Sequence, residues 1–388
     1  MMSGCDRYLQ ICKCLRDEDP RADRQAEFTQ VDLEMSFVDR ADVLEIMTGY
    51  MKRLFHDVAG IDLGDIDRMT WNEAMNTWGS DRPDLRFDLP LHDVSTIVAS
   101  TDFRVFTDAL AKEDGVIKAI RIPGGAAAMS RKIAEGWGEV AKTYGAGGLP
   151  FVKYTGGDEH GGFETGIAKF IAPFAAELIE HLQLEVGDSV VFGADARRVA
   201  NTALGQVRLT IASHLDLIDA STWKALWVID FPMFAWDEDR GRWTSEHHPF
   251  TAPLAESAHL LESDPGNCIS SGYDFIINGS EAGGGSIRIH DPAMQQKVFD
   301  LLGLSREDAE HKFGFLLDAL RNGAPPHGGI AFGLDRMVML LAGTTNIRDV
   351  IAFPKTQSGG DLMTSAPGEI DDEQLQELRL SVDVEQPT

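Results

Sequence analysis

Basic side chains are scarce in this sequence of 388 residues. Lys and Arg number 35 against 62 Asp and Glu, a formal charge of −27. That balance excludes a nucleic-acid binder that works through overall positive charge; a polyanionic partner needs a local basic surface on an acidic body. The acidic excess speaks to solubility and not to fold. Cysteine is scarcer still: only Cys5, Cys12, Cys14 and Cys268 occur, too few for a disulfide scaffold, and none forms a C-x-x-C pair. No apolar run is long enough to cross a bilayer. The opening MMSGCDRYLQICKCLRDED has no basic stretch followed by an apolar one, so it does not read as a secretory signal. A cytoplasmic protein without a membrane partner is the expectation. Several motifs are also missing. There is no G-x-x-x-x-G-K-[ST], H-E-x-x-H, G-x-S-x-G or kinase signature set. The Gly283–Gly285 run lacks the βαβ context of a dinucleotide fingerprint. No internal repeat is visible.

What is present is ordinary globular material, 43% hydrophobic and 25% charged, which excludes disorder and collagen-like repeats. The length predicts two or three folding units. Tyr8, Gln10, Cys12 and Cys14 alternate with Leu9, Ile11, Lys13 and Leu15, the period of a strand. Cys12 and Cys14 therefore point to one face, and are expected as buried, reduced thiols. A charged loop, residues 16–27, leads to a second strand over 28–38, making an antiparallel hairpin. Residues 40–57 switch to helical spacing, with Asp39 as N-cap and a stripe of Val43, Ile46, Met47, Tyr50, Met51 and Leu54. From about residue 87 the chain reads as a separate α+β unit, with helical spacing over 167–182, a strand from Asp188, and a helix from Arg197 to His214. Strand-like text returns near residue 222. The predicted division is 1–86, 87–218 and 219–388, the middle part inserted into one antiparallel-sheet domain.

Three elements carry chemistry. On the second strand Phe28, Gln30, Asp32 and Glu34 share one face and Thr29, Val31, Leu33 and Met35 the other. Arg16 ends the partner strand beside the polar face. A solvated polar face accounts for the pattern as well as a site does. On the hairpin over 273–290, Ser286, Arg288 and His290 share a face, and Asp274 and Glu281 lie near the glycine run, which lets a ligand approach the backbone. Two carboxylates beside a phosphate suit Mg²⁺, although acids on a hairpin are more often simply solvated. At the junction GLDR, Arg336 falls in the first turn of a helix that ends at Gly343, where free N–H groups favour an anion; an exposed arginine is the bland alternative. His247 and His248 are adjacent, so on an extended segment they face opposite ways and make a poor metal pair.

Together these segments are specific. LRDEDPRADRQAEFTQVDLE (15–34) resembles motif 2 of class II aminoacyl-tRNA synthetases, and GIAFGLDRMVMLLAG (329–343) resembles motif 3. NGSEAGGGSIRIH and NIRDVIAFPKT are similar to the bacterial aspartate–tRNA ligase family in particular. The resemblance implies an α+β fold: a class II antiparallel sheet flanked by helices, interrupted by a GAD-type insertion. It implies ATP and L-aspartate as substrates, Mg²⁺ as cofactor, and the acceptor end of tRNA(Asp), with tRNA(Asn) left open, as partner. Arg16 and Arg336 would be the catalytic arginines. ATP would meet Arg16, Asp17, Glu18, Gln25, Phe28 and Glu281, and also Gly333, Leu334, Asp335 and Arg336. Aspartate would meet Arg16, Gln30, Asp32, His247 and Arg288, and Asp274 and Glu281 would hold the metal. Family members are homodimers. They carry, ahead of the point where this sequence starts, an anticodon-binding OB-fold, motif 1 and part of the aspartate pocket. The resemblance thus implies an N-terminally shortened catalytic body with impaired adenylate formation, whose dimerisation is doubtful. Pro20, in the motif 2 loop, departs from the family pattern and stiffens that loop.

Overall fold

The structure is a computed structural model that describes residues 1–17 and 21–383. Its strands are β1 (Arg7–Leu15), β2 (Glu27–Ser36), β3 (Asp67–Thr70), β4 (Leu91–Asp93), β5 (Gly115–Ile122), β6 (Phe151–Tyr154), β7 (Phe163–Glu164), β8 (Ser189–Ala196), β9 (Ala225–Ile229), β10 (Phe234–Asp237), β11 (Arg242–Ser245), β12 (Gly272–Ile277), β13 (Ser280–Ile287) and β14 (His327–Gly333). The chain divides into two compact units. One comprises Met1–Arg7 and Glu34–Ile330, the other Tyr8–Leu33 and Ala331–Thr388. A division at 87 and 218 lies wholly inside the first. Among the described residues, no helix is long and apolar enough to cross a membrane.

In the first unit the strand order is β14–β13–β12–β9–β3, with β14 contributing residues 327–330. β12 pairs antiparallel with both β13 and β9, while β3 lies parallel to β9. The β12–β13 turn is Asn278-Gly279, both at positive φ (49° and 77°), the two-residue turn whose twist matches a hairpin. A bulge falls between Phe275 and Ile276. Tyr273, Phe275 and Trp227 are fully buried here, and Trp227 Nε1 donates to Thr48 Oγ1 at 2.9 Å, anchoring the helix Arg40–Ala59. That helix starts on Asp39 in a capping box with Asp42 and ends at left-handed Gly60. Its buried stripe is Val43, Leu44, Met47, Met51 and Phe55. Ile46 and Tyr50, expected inside, are exposed.

The same unit holds a five-stranded sheet in the order β4–β5–β8–β6–β7, antiparallel throughout. Both its faces are covered, so β5 (GVIKAIRI) and β8 (SVVFGADA) carry apolar residues on both faces instead of alternating. Ile120, Ile122 and Val191 face one core with Trp137, Leu204 and Val207. Ile117, Ala119, Val190 and Phe192 face the other with Phe106 and Leu178. The expected helix over 167–182 is broken: a 3₁₀ turn, Ala172–Phe174, containing Pro173 separates Ala168–Ile171 from Ala175–Leu182. Pro173 lacks the N–H that an unbroken helix needs.

In the second unit the order is β1–β2–β14. The 16–27 loop is closed by Arg16 N–H donating to the Ala26 carbonyl at 2.9 Å. β14 runs into the helix Leu334–Leu341, capped at Gly333. On β1 the alternation holds, with Leu9, Ile11 and Leu15 on the exposed face. Cys12 and Cys14 are half-buried, not enclosed thiols, because the face they share holds polar side chains to which both are hydrogen-bonded.

Candidate active site

In the first unit, Arg288 follows directly on β13. Its Nε and Nη2 donate to the two carboxylate oxygens of Glu34 at 3.1 and 3.2 Å. Its Nη1 donates to Ser286 Oγ at 2.7 Å and to His248 Nε2 at 2.8 Å. An arginine offers no acceptor, so His248 Nε2 must accept and the ring is neutral. Burial, and then the Arg288 charge, push its pKa down to about 4. Glu34, His248 and Arg288 line a cleft of about 330 Å³ with His327, Phe250 and Leu316, within the range of roughly 300–1,000 Å³ usual for small ligands.

Further along the hairpin, Asp274 stands opposite Gly284, and Ile276 opposite Glu281. The two carboxylates flank Gly284: a Cβ there would overlap Asp274 Oδ1 and come within 3.6 Å of Glu281 Oε1. Asp274 is buried, and its carboxyl is pushed well above the usual range by burial, then by Glu281 and Asp81. His247 lies on the loop after β11. Its ring packs edge-on against Phe231 with centroids 4.7 Å apart, and burial lowers its pKa against the opposing pull of Glu281.

Two hard-oxygen groups whose charges oppose each other fit a divalent cation, which relieves the repulsion. The described residues contain no cluster of three or more His, Cys, Asp or Glu side chains arranged for a metal. A pair of carboxylates is the donor set of a cation such as Mg²⁺, which takes one or two carboxylates and completes its shell with phosphates and water.

In the second unit, the Arg16 guanidinium carbon lies 5.5 Å from the centroid of the Phe28 ring. Asp335, in the first turn of its helix, accepts from Thr29 N–H at 2.6 Å and so ties that helix to β2. Arg336 Nη2 donates to the Asp23 carbonyl at 3.1 Å and to its carboxylate at 3.4 Å. Gln25 is buried, its Nε2 donating to Arg24 O at 3.4 Å and its Oε1 without a partner among the described residues. Asp32 Oδ2 accepts from Gln10 Nε2 at 2.9 Å and from Cys12 Sγ at 3.2 Å. Gln30 Oε1 accepts from Cys14 Sγ at 3.2 Å. Gly333 and Leu334 form the start of the Leu334–Leu341 helix. Asp17 is exposed at the end of β1. Glu18 and Pro20 lie outside the described residues.

The structure therefore groups Arg16 with Phe28, Gln30 with Cys14, Asp32 with Cys12 and Gln10, and Asp335 with β2, all in one unit, and Asp274 with Glu281 in the other. Sequence reasoning gave no role to Glu34 or His248, the principal partners of Arg288. Glu34 was visible on the polar face of its strand, but its pairing across 254 positions leaves no local signal.

The family described as tRNA synthetases class II (D, K and N) matches residues 1–357. The chain is 49% identical to an aspartate–tRNA(Asp/Asn) ligase of Geotalea uraniireducens, covering 98% of itself and 63% of that protein. It is 48% identical to an aspartate–tRNA ligase of Macrococcus caseolyticus, covering 99% and 64%. It is 50% identical to an aspartate–tRNA(Asp/Asn) ligase of Bacillus subtilis, covering 98% and 64%. The fold of mixed helix and sheet is thus that of a class II tRNA synthetase. The chain belongs to the bacterial aspartate–tRNA ligase family, and spans slightly less than two thirds of the length of these relatives.

Proposed function

We propose that this chain is the catalytic body of an aspartate–tRNA ligase. It activates L-aspartate with ATP and transfers the aspartyl group to the acceptor end of tRNA(Asp). The observation that carries the reading is identity of 48–50% over 98–99% of the chain to ligases of that name. In the first step the aspartate α-carboxylate attacks the α-phosphorus of ATP in line, forming aspartyl-adenylate and releasing pyrophosphate. In the second, a hydroxyl of the terminal adenosine of the tRNA attacks the acyl carbon and AMP leaves. No protein nucleophile is needed, and catalysis is positioning and charge stabilisation.

Arg16 neutralises the α-phosphate and orients the reacting carboxylate. Phe28 stacks on adenine, a role supported by its pairing with a guanidinium, as at a site for planar groups. Gln25 offers its buried side-chain oxygen, which has no partner among the described residues, to the base. Arg336, at a helix start, stabilises phosphate charge, and Asp335 positions that helix through Thr29. Arg288 recognises the substrate's side-chain carboxylate as a fork meeting a planar acid; Glu34 and His248 hold its plane in place. Gln30 and Asp32 face the α-ammonium group, and His247 closes over the amino acid. Asp274 and Glu281 would hold Mg²⁺, which when bound would supply charge neutralisation at the phosphates. The five-stranded unit, residues 87–218, is the GAD-type insertion. Charging of tRNA(Asn) belongs to this reading as an open second acceptor.

Aspartate-dependent ATP–pyrophosphate exchange by the 388-residue chain tests it. Exchange with aspartate but not with asparagine is expected, at a rate below that of a full-length relative. Exchange with another amino acid and none with aspartate overturns the assignment. The alternative is a protein that binds ATP or tRNA without charging. Saturable ATP binding with no exchange distinguishes it.

A further inference from the structure

Cys12 and Cys14 form a juxtaposition that the activation chemistry does not use. They are two residues apart on β1 and face the same way, with their sulfur atoms 3.7 Å apart. Both are half-buried and therefore within reach of a small solute. Cys12 Sγ donates to Asp32 Oδ2 and Cys14 Sγ to Gln30 Oε1, each at 3.2 Å. A strand advances about 3.3 Å per residue, so positions two apart have Cα atoms about 6.6 Å apart, near the upper limit of about 6.8 Å for a disulfide. Closure is geometrically open, and it yields a bond of the strained and readily reduced kind. Of the other two thiols, Cys268 is fully buried and Cys5 is exposed ahead of β1.

We propose that Cys12 and Cys14 are an oxidation site, a dithiol that peroxide converts reversibly into an intrastrand disulfide beside Asp32 and Gln30. The Asp32 carboxylate and burial push the Cys12 thiol up to about 12, so Cys12 keeps its proton. Cys14, hydrogen-bonded to the neutral Gln30 amide and not to a carboxylate, is the sulfur that reacts first. As the thiolate it attacks one oxygen of hydrogen peroxide. The O–O bond breaks, Cys14 is oxidised to the sulfenic acid, and the other oxygen leaves as hydroxide, which takes up the proton released by the Cys14 thiol and becomes water. Asp32 Oδ2, which accepts the Cys12 S–H, takes its proton as the Cys12 sulfur attacks Cys14 Sγ. The S–S bond forms, the S–O bond breaks, and the sulfenic oxygen departs as a second water with the Cys12 proton, relayed by Asp32 Oδ2. Two thiols and one peroxide give one disulfide and two waters. A dithiol reductant reverses the reaction by thiol–disulfide exchange.

Closure removes the S–H donors from Asp32 and from Gln30. Resting on the reading that these two side chains face the substrate ammonium group, oxidation releases them from the thiols that orient them and lowers aspartate use by about tenfold, the size of one misplaced hydrogen bond to a charged group.

The test treats the full chain with hydrogen peroxide, blocks the remaining thiols by alkylation, and maps the strand peptide by mass spectrometry. A Cys12–Cys14 disulfide that dithiothreitol removes is expected, with none in C12S or C14S. Alkylated Cys12 and Cys14 at peroxide levels that oxidise Cys5 would overturn the proposal, as would pairing of either with Cys5. The second measurement is aspartate-dependent pyrophosphate exchange before and after peroxide. A fall that dithiothreitol restores, absent in C12S, supports the consequence. Exchange unchanged in a chain shown to carry the disulfide refutes the consequence and leaves the oxidation site standing. A mapped disulfide in a chain without any exchange refutes the ligase reading and not the oxidation site.

Discussion

His248 touches the Arg288 guanidinium through Nε2, and burial with that neighbouring charge lowers its pKa from the ordinary 6.5 to about 4. The folded state therefore binds fewer protons than the unfolded chain between those values, and stability rises with pH across the window. The stabilisation is complete above pH 6.5 and is lost as the pH falls through about 4. Because the ring is partly exposed, the loss between pH 7 and 5 is about 1–2 kcal/mol and not the full value of the shift. Urea unfolding of the wild type against His248→Gln, which keeps an acceptor but does not titrate, measures it; parallel profiles for the two proteins would refute the assignment. Asp274 is shifted the other way. Burial beside Glu281 and Asp81 disfavours its charged form, so the folded chain loses stability as the pH rises above the ordinary carboxylate range. Asp274→Asn is expected to raise Tm without metal, by the equivalent of about 1–2 kcal/mol. Mg²⁺ is expected to raise the Tm of the wild type and not of the variant, and a lower Tm for the metal-free variant counts against the strain.

At the scale of elements, the β12–β13 hairpin depends on its glycine run. A Cβ at Gly285 would collide with the Gly329 carbonyl oxygen and stand 2.8 Å from Ile330 Cα and from the Tyr273 ring. Tyr273 Oη donates to that same carbonyl at 2.9 Å. Two of these obstacles are backbone and have nowhere to go, so Gly285→Ala is expected to cost about 3 kcal/mol or more. Gly136→Ala, on the helix Arg131–Thr143 with open space around it, is the matched control and is expected to stabilise by about 0.5–1 kcal/mol. Chemical denaturation of both decides the matter; equal effects would mean that the close packing is not rigid. The hairpin was legible because Asn-Gly dictates a turn and the glycines flank alternating residues. The helix Arg40–Ala59 was legible in position but not in rotation. Leu44 and Phe55 lie just beyond one edge of the predicted stripe and Ile46 at its other edge, so the buried face is the predicted one turned towards Leu44, a rotation that tertiary packing sets. The fork of Arg288 on Glu34 was illegible, because the partners come from strands distant in sequence. The thiol environment was misjudged because thiols were weighed as hydrophobes, while Gln30 and Asp32 across the strand supply polar partners.

At the scale of the whole chain, β3 and β9 lie side by side and parallel, with Asp67 opposite Leu226 and Thr70 opposite Ile229. Everything between them is an excursion that leaves one sheet and returns to the adjacent strand, and the five-stranded sheet is built within it. Its point of departure is pinned by Arg208, on the helix Arg197–His214 and only 1% exposed. The guanidinium donates to the carbonyls of Asp84, Phe87, Asp88 and Leu89 at 2.8–3.2 Å. It lies 4.6 Å from the Trp78 ring centroid and 3.9 Å from that of Phe87. Burial lowers its pKa to about 10, so it remains charged at neutral pH. Nearby, Gly79 and Gly205 let the Trp71–Trp78 helix approach the same helix without a Cβ on either side. Arg208→Met keeps the volume but leaves the carbonyls without donors, and a loss of roughly 4 kcal/mol is expected from several unsatisfied acceptors and two lost ring contacts. The loss should be local first. Amide hydrogen exchange in Arg208→Met is expected to speed up over residues 84–91 and along the Arg197–His214 helix, while β12 keeps its wild-type protection. If β12 loses protection to the same extent, the excursion and the sheet it leaves unfold as one cooperative body, and Arg208 is a general core residue and not the pin of an inserted unit.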